Sequence, residues 1–179
     1  MKHRITIGIL SSLAVVQLLL LVYLHLHPHQ PRAPERGLVT GDTLSWIDGL
    51  NANGSPVHLS LSTASRPLVV LAFDSECTHC ETVAPAWKEW LDRDHGADLV
   101  AVSRNAPGVA VRYGERHGWR VRVVADAASQ NSAASARLLD RTPWIYLLDI
   151  GGEILFEGHG SRTAEVDSIL ARRPASPTQ

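Results

Sequence analysis

The chain has 179 residues, 17 Lys and Arg against 18 Asp and Glu, a formal net charge of −1 and only two cysteines. A near-neutral charge with no basic cluster argues against a nucleic-acid surface. Two cysteines are too few for the disulfide framework on which small secreted domains rely.

Lys2, His3 and Arg4 precede ITIGILSSLAVVQLLLLVYL, Ile5 to Leu24, which carries no charge. Twenty residues at ~1.5 Å each span roughly 30 Å, the hydrocarbon thickness of a bilayer. A cleaved signal peptide has a shorter apolar core of about 7–15 residues and a small-x-small cleavage site. The following HLHPHQPRAPERG offers no such site. Residues 1–26 are therefore expected to form an uncleaved transmembrane signal anchor. With the basic residues ahead of the span, the amino terminus faces the cytoplasm, and the rest of this single-pass inner-membrane protein lies in the periplasm.

Residues 27–37, rich in Pro and charge, read as an extended tether. His25, His27 and His29 alternate there, and a solvated stalk is preferred to a metal tract. Residues 38–173 form the folded domain, and 174–179 a flexible tail. Setting aside Lys2, Arg4, Arg32, Arg36 and Glu35 leaves 13 basic against 17 acidic residues from Leu38 onward, a mildly acidic domain. At about 140 residues it is large enough for one proper core.

Ser45–Asp48 and Val57–Leu61 flank a Gly-Leu-Asn-Ala-Asn-Gly turn and predict an antiparallel hairpin. Leu68–Phe73, LVVLAF, is a continuous apolar run of buried-strand length. Val83, Trp87, Trp90 and Leu91 recur at helical spacing and predict a helix over about Thr78–Asp92. Strand Asp98–Ser103, helix Pro107–His117, strand 121–126 and helix Ala127–Leu139 follow. Strands 144–150 and 153–158 turn at Gly151-Gly152 into a hairpin, and a last helix covers Thr163–Ala171. Alternating strands and helices imply parallel crossovers, and the closing hairpin adds antiparallel pairing: an α/β fold with a mixed sheet flanked by helices.

Both cysteines fall in FDSECTHCETVAP, Phe73 to Pro85. At the head of the helix, Cys77 meets unpaired N–H groups and the positive end of the dipole. Both favour the thiolate, the nucleophilic form. Cys80 lies one turn on, placed to attack a mixed disulfide at Cys77, so the pair suits thiol–disulfide exchange. A protonated His79 would further stabilise the thiolate, whereas Asp74, Glu76 and Glu81 would oppose it.

Three other uses compete. As a structural staple the pair closes a loop worth about 2 kcal/mol, a poor use of the only cysteines. Zinc needs two further ligands that the spacing of His58, His95, His117 and His159 does not supply. A copper-binding chaperone using both sulfurs and His159 is harder to dismiss, because soft thiolates suit Cu(I). Redox chemistry is preferred. It needs no metal and no cofactor beyond the Cys77–Cys80 disulfide itself.

The arrangement resembles the thioredoxin superfamily, and within it the membrane-anchored TlpA/ResA-like thiol–disulfide oxidoreductases. The strand LVVLAF runs into CTHC. Pro85 follows Cys80 by five residues, where the family has a helix-kinking proline, and removes an N–H inside a helix pattern. Thr142-Pro143 precedes strand WIYLLDI where the family has its cis-proline. GGEILFEGHG matches the final hairpin, with Gly160 as closing glycine, and VTGDTLSWIDGLNANGSPVHLS the amino-terminal hairpin extension.

The resemblance covers about residues 38–173. It implies a thioredoxin-like fold with an amino-terminal β-hairpin and an extra strand–helix unit between Cys80 and Pro143. It also implies a substrate groove at Thr142 and Pro143, electrons from a membrane thiol donor, and partner-protein disulfides as substrates, such as those of apocytochromes or metal-centre assembly factors. Three departures matter. Glu76 replaces the family's Trp before the first cysteine, and Trp144 is a candidate aromatic replacement. Leu71 stands where plain thioredoxins bury a carboxylate. The Thr-His dipeptide is similar to that of DsbA-type oxidants, so an oxidising tendency is the alternative to reductase. Peroxide reduction finds no Pro- and Thr-containing approach to Cys77.

Overall fold

A computed structural model describes residues 36–128 and 133–173, together with Val16 and Gln17 in a helical turn. Nearly all of the expected anchor and of the tether, and the whole tail, lie outside these residues. Among the described residues no helix is long and apolar enough to cross a membrane.

β1 (Trp46–Leu50) and β2 (Pro56–Ser60) form an antiparallel hairpin in which Asp48 faces His58. Then come β3 (Leu68–Phe73), α1 (Thr78–Leu91), β4 (Asp98–Ser103), α2 (Pro107–Arg116), β5 (Arg122–Val124), α3 (Ala133–Leu138), β6 (Trp144–Leu148), β7 (Ile154–His159) and α4 (Thr163–Ala171). The main sheet has the order β5-β4-β3-β6-β7. β3, β4 and β5 run parallel, and β6 and β7 are antiparallel to their neighbours.

β3 sits at the centre and is buried on both faces, which is why it reads as an unbroken apolar run rather than an alternation. Val69, Leu71 and Phe73 face one core with Val83 and Trp87 of α1, Tyr113 of α2 and Val166 of α4. Leu68, Val70 and Ala72 face the other, against Leu44, Ile47 and Leu138. The fully buried Trp87 alone removes about 150–250 Å² from water, roughly 4–6 kcal/mol as an upper bound. A strand buried on both sides gives its carboxyl end a fixed position, and the cysteine motif begins there.

The expected strands and helices are present with shifted ends; β1 runs on to Leu50, two residues past the expected Asp48. The third helix is shorter than Ala127–Leu139: the described helix is Ala133–Leu138. Asp126 has φ +51° and donates its N–H to the Asn105 carbonyl, and the Ala127 N–H goes to the Ser103 carbonyl. These bonds hold residues 126 and 127 against the end of β4 instead of starting a helix. β5 stops at Val124 because Ala125 exchanges both backbone hydrogen bonds with Leu50 of β1. β6 ends at Leu148 because the Asp149 carboxylate accepts the N–H groups of Gly151 and Glu153 and closes the turn.

Candidate active site

Cys77 is the N-cap of α1, one residue before the first helical position, with extended backbone (φ −86°, ψ 115°). Its thiol is half-buried and Cys80 is buried, 1% exposed, and both are free thiols. Partial burial works against a charged Cys77. The N–H of Cys80, the Cys80 thiol, the N–H of His79 and the Thr142 hydroxyl outweigh it, and the Cys77 thiol lies below its ordinary range. The N–H groups make no close cap bond to the thiol; they favour the anion that forms there.

Cys80 shows the opposite behaviour. Burial pushes its thiol up to about 12, against the N–H of Asp74, which donates to its sulfur at 3.4 Å. The neighbouring Cys77 pushes it further up, by hydrogen bond and by charge. Two thiols one turn apart thus differ in both exposure and acidity.

The Thr142-Pro143 peptide bond is cis, and the Thr142 carbonyl oxygen lies 3.6 Å from the Cys77 sulfur, within reach of its S–H. The Pro143 carbonyl accepts the N–H of Gly160, and the Gly160 carbonyl accepts the indole N–H of Trp87 at 2.7 Å. Gly160 admits no side chain, since a Cβ there would lie 2.5 Å from the Trp87 ring and 3.1 Å from Pro143. The proline loop, the closing hairpin and α1 are therefore locked to one another beside the thiol.

Trp144 is half-buried at the start of β6. Its indole N–H donates to Glu157 at 2.6 Å and the Arg141 guanidinium sits 4.2 Å over its ring, so it is a fixed wall behind the proline loop. Pro85 lies within α1 on its exposed side, where the Glu81 carbonyl lacks the usual partner four residues on. Glu76 and His79 are exposed. Their N–H groups do the local work: that of Glu76 holds the Asp74 carboxylate at 2.9 Å, and that of His79 favours the Cys77 anion.

Sequence reasoning missed two features. Glu81, expected to oppose the thiolate, is paired with Arg116 (2.5 Å) and lies 3.2 Å from His117 of the following turn. Asn105, after β4, bonds to the loop that carries Cys77. No local signal marked either, because both contacts are made across the fold. Among the described residues no group of three or more His, Cys, Asp or Glu is placed to hold a metal ion. His159, the third ligand of the copper alternative, bonds Ser161 and meets Trp144 edge-on.

No family model matches this chain, and no curated protein matches it either. Solved structures do. The thioredoxin domain of a thiol–disulfide oxidoreductase from Bacteroides vulgatus superposes with a TM-score of 0.60 at 19% identity, over 75% of this chain and 99% of that one. A secreted Mycobacterium tuberculosis disulfide oxidoreductase homologous to E. coli DsbE gives 0.56 at 15% identity, over 71% and 96%. The fold is thioredoxin-like. Peroxidoxin BcpB from Mycobacterium tuberculosis also matches, with a TM-score of 0.61 at 15% identity over 76% of this chain and 99% of that one. The fold is thus common to disulfide oxidoreductases and a peroxidoxin, and does not by itself assign a chemistry.

Proposed function

We propose that this protein is a thiol–disulfide oxidoreductase that reduces disulfides of partner proteins. The observation that carries the reading is the placement of a half-buried Cys77 at the head of α1, against the Thr142 carbonyl, with a buried Cys80 one turn behind it. In the reaction, the Cys77 thiolate attacks one sulfur of the partner disulfide, that bond breaks, and one partner thiolate leaves. The product is a mixed disulfide between Cys77 and the partner.

Cys80 then loses its proton to solvent and attacks the Cys77 sulfur. The second partner thiolate leaves and the Cys77–Cys80 disulfide forms, so two electrons have passed to the partner. The order of events follows from the electrostatics. Once Cys77 is in a disulfide its negative charge is gone, and with it the part of the Cys80 elevation that Cys77 causes. Burial, the larger cause, still holds Cys80 up, and the part due to Cys77 is relieved when the mixed disulfide forms.

The Thr142 carbonyl and Pro143 border Cys77 and form the wall along which the partner chain lies, with Trp144 behind them. The uncharged Ile5–Leu24 run supports tethering in a membrane with this domain on the periplasmic side, and a membrane thiol donor as the source of electrons. Nothing at the site favours peroxide reduction or copper transfer over exchange.

The test is trapping. Full-length Cys80→Ser mixed with a disulfide-bonded test protein is expected to accumulate a covalent adduct that dithiothreitol releases. Cys77→Ser forms none. Equal adduct from both variants overturns the assignment of roles.

A further inference from the structure

The resolving step needs a thiol that burial disfavours as an anion, and the Asp74 N–H is a donor already aimed at it, 3.4 Å from the Cys80 sulfur. Asp74 lies in the turn between β3 and α1, not in a regular element, so its N–H points at the sulfur only while that turn keeps its shape. The contacts that fix it converge on Asn105.

The Asn105 side-chain oxygen accepts the N–H of Ser75 at 2.9 Å and the hydroxyl of Ser103 at 2.7 Å. Its amide nitrogen donates to Asp74 Oδ1 at 3.3 Å, the oxygen that also accepts the N–H of Glu76. Its own N–H returns to Ser103 Oγ at 3.1 Å, and its carbonyl accepts the N–H of Asp126. Ser103 is fully buried at the end of β4, and Arg104 adds an ion contact to Asp74 Oδ2 at 3.5 Å. One amide therefore ties the cysteine turn to the parallel strand beside it. Such a network is rigid only when all its members are satisfied.

We infer that Asn105 is a positioning residue for the second half of the exchange: it holds the Asp74 N–H on the Cys80 sulfur and so sets the rate at which Cys80 resolves the mixed disulfide. The inference rests on the exchange reading above. It separates the two thiols by geometry: the N–H groups nearest Cys77, those of Cys80 and His79, lie inside α1 and are not bonded to Asn105, whereas the N–H on the Cys80 sulfur belongs to a turn that Asn105 clamps.

The experiment uses the reduced full-length chain and a symmetrical nitroaryl disulfide that releases one coloured thiolate per attack. Cys77 attack releases the first thiolate and leaves an aryl–Cys77 mixed disulfide. Cys80 attack on Cys77 releases the second and forms the Cys77–Cys80 bond. In Asn105→Ala the first phase is expected to keep its rate and pH profile within about twofold. The second is expected to slow at least about fivefold at neutral pH, with its profile moved to higher pH. Ser103→Ala, which keeps the amide but removes one support, shows a smaller slowing of the same phase and decides the matter if Asn105→Ala does not fold. An unchanged second phase, or an equal change in both phases, overturns the role of Asn105. A parent protein that releases only one thiolate overturns the exchange reading itself.

Discussion

Trp87, in the middle of α1, donates its indole N–H to the carbonyl of Gly160 at 2.7 Å, joining the helix that carries the cysteines to the end of the closing hairpin. Gly160 in turn donates to Pro143, so one residue fixes the distance between the thiol helix and the proline loop. Gly160→Ala places a methyl group 2.5 Å from a fully buried ring. A loss of about 1–3 kcal/mol in denaturant unfolding is expected, with slower partner reduction. Gly151→Ala meets only the Asp149 carboxylate at 3.4 Å, is expected to stay within about 0.5 kcal/mol of the parent, and is the control.

Two buried tyrosines predict opposite outcomes. Among the described residues the buried hydroxyl of Tyr113 has no hydrogen-bond partner, whereas that of Tyr146 donates to the Leu138 carbonyl at 3.2 Å. Tyr113→Phe removes an unsatisfied group and is expected to leave stability unchanged or raise it by up to about 1 kcal/mol. Tyr146→Phe removes this hydrogen bond and costs about 0.5–1.5 kcal/mol. Thermal unfolding of both variants checks the contrast.

Stability should depend on alkaline pH through Cys80. Its folded value near 12 lies above the ordinary 9.0, so the fold favours the protonated thiol. That contribution is complete below about pH 9 and is lost as pH rises toward 12. Cys77 has the reverse sign: its contribution is present above the ordinary thiol range and is lost as pH falls through its lowered value. Urea unfolding of the reduced protein between about pH 9 and 11 is expected to show a decline that Cys80→Ala reduces by roughly 1–3 kcal/mol, the remainder coming from Tyr113 and Tyr146, which burial also pushes up.

Much of this was legible in the sequence because it is local. LVVLAF, the Trp87 and Trp90 spacing and the Gly151-Gly152 turn each state their structure within a few residues, and Cys77 and Cys80 declare their chemistry by position at a helix start. The missed features are long-range. Asn105 looks like an ordinary turn residue, since its partners Asp74 and Ser75 are about thirty residues away and reach it only through the parallel β3–β4 pairing. Glu81 looked like an unfavourable charge because Arg116 and His117 approach it from another helix. Ala127 is expected to open the third helix, but its N–H goes instead to the Ser103 carbonyl at the end of β4.

The most direct test of the central claim is the reduction potential of the Cys77–Cys80 couple, measured on the full-length chain in thiol redox buffers. A reversible two-electron equilibrium near the thioredoxin end, roughly −270 mV, is the predicted result. A pair that never equilibrates, or one poised near the DsbA end at about −120 mV, contradicts a protein that reduces its partners.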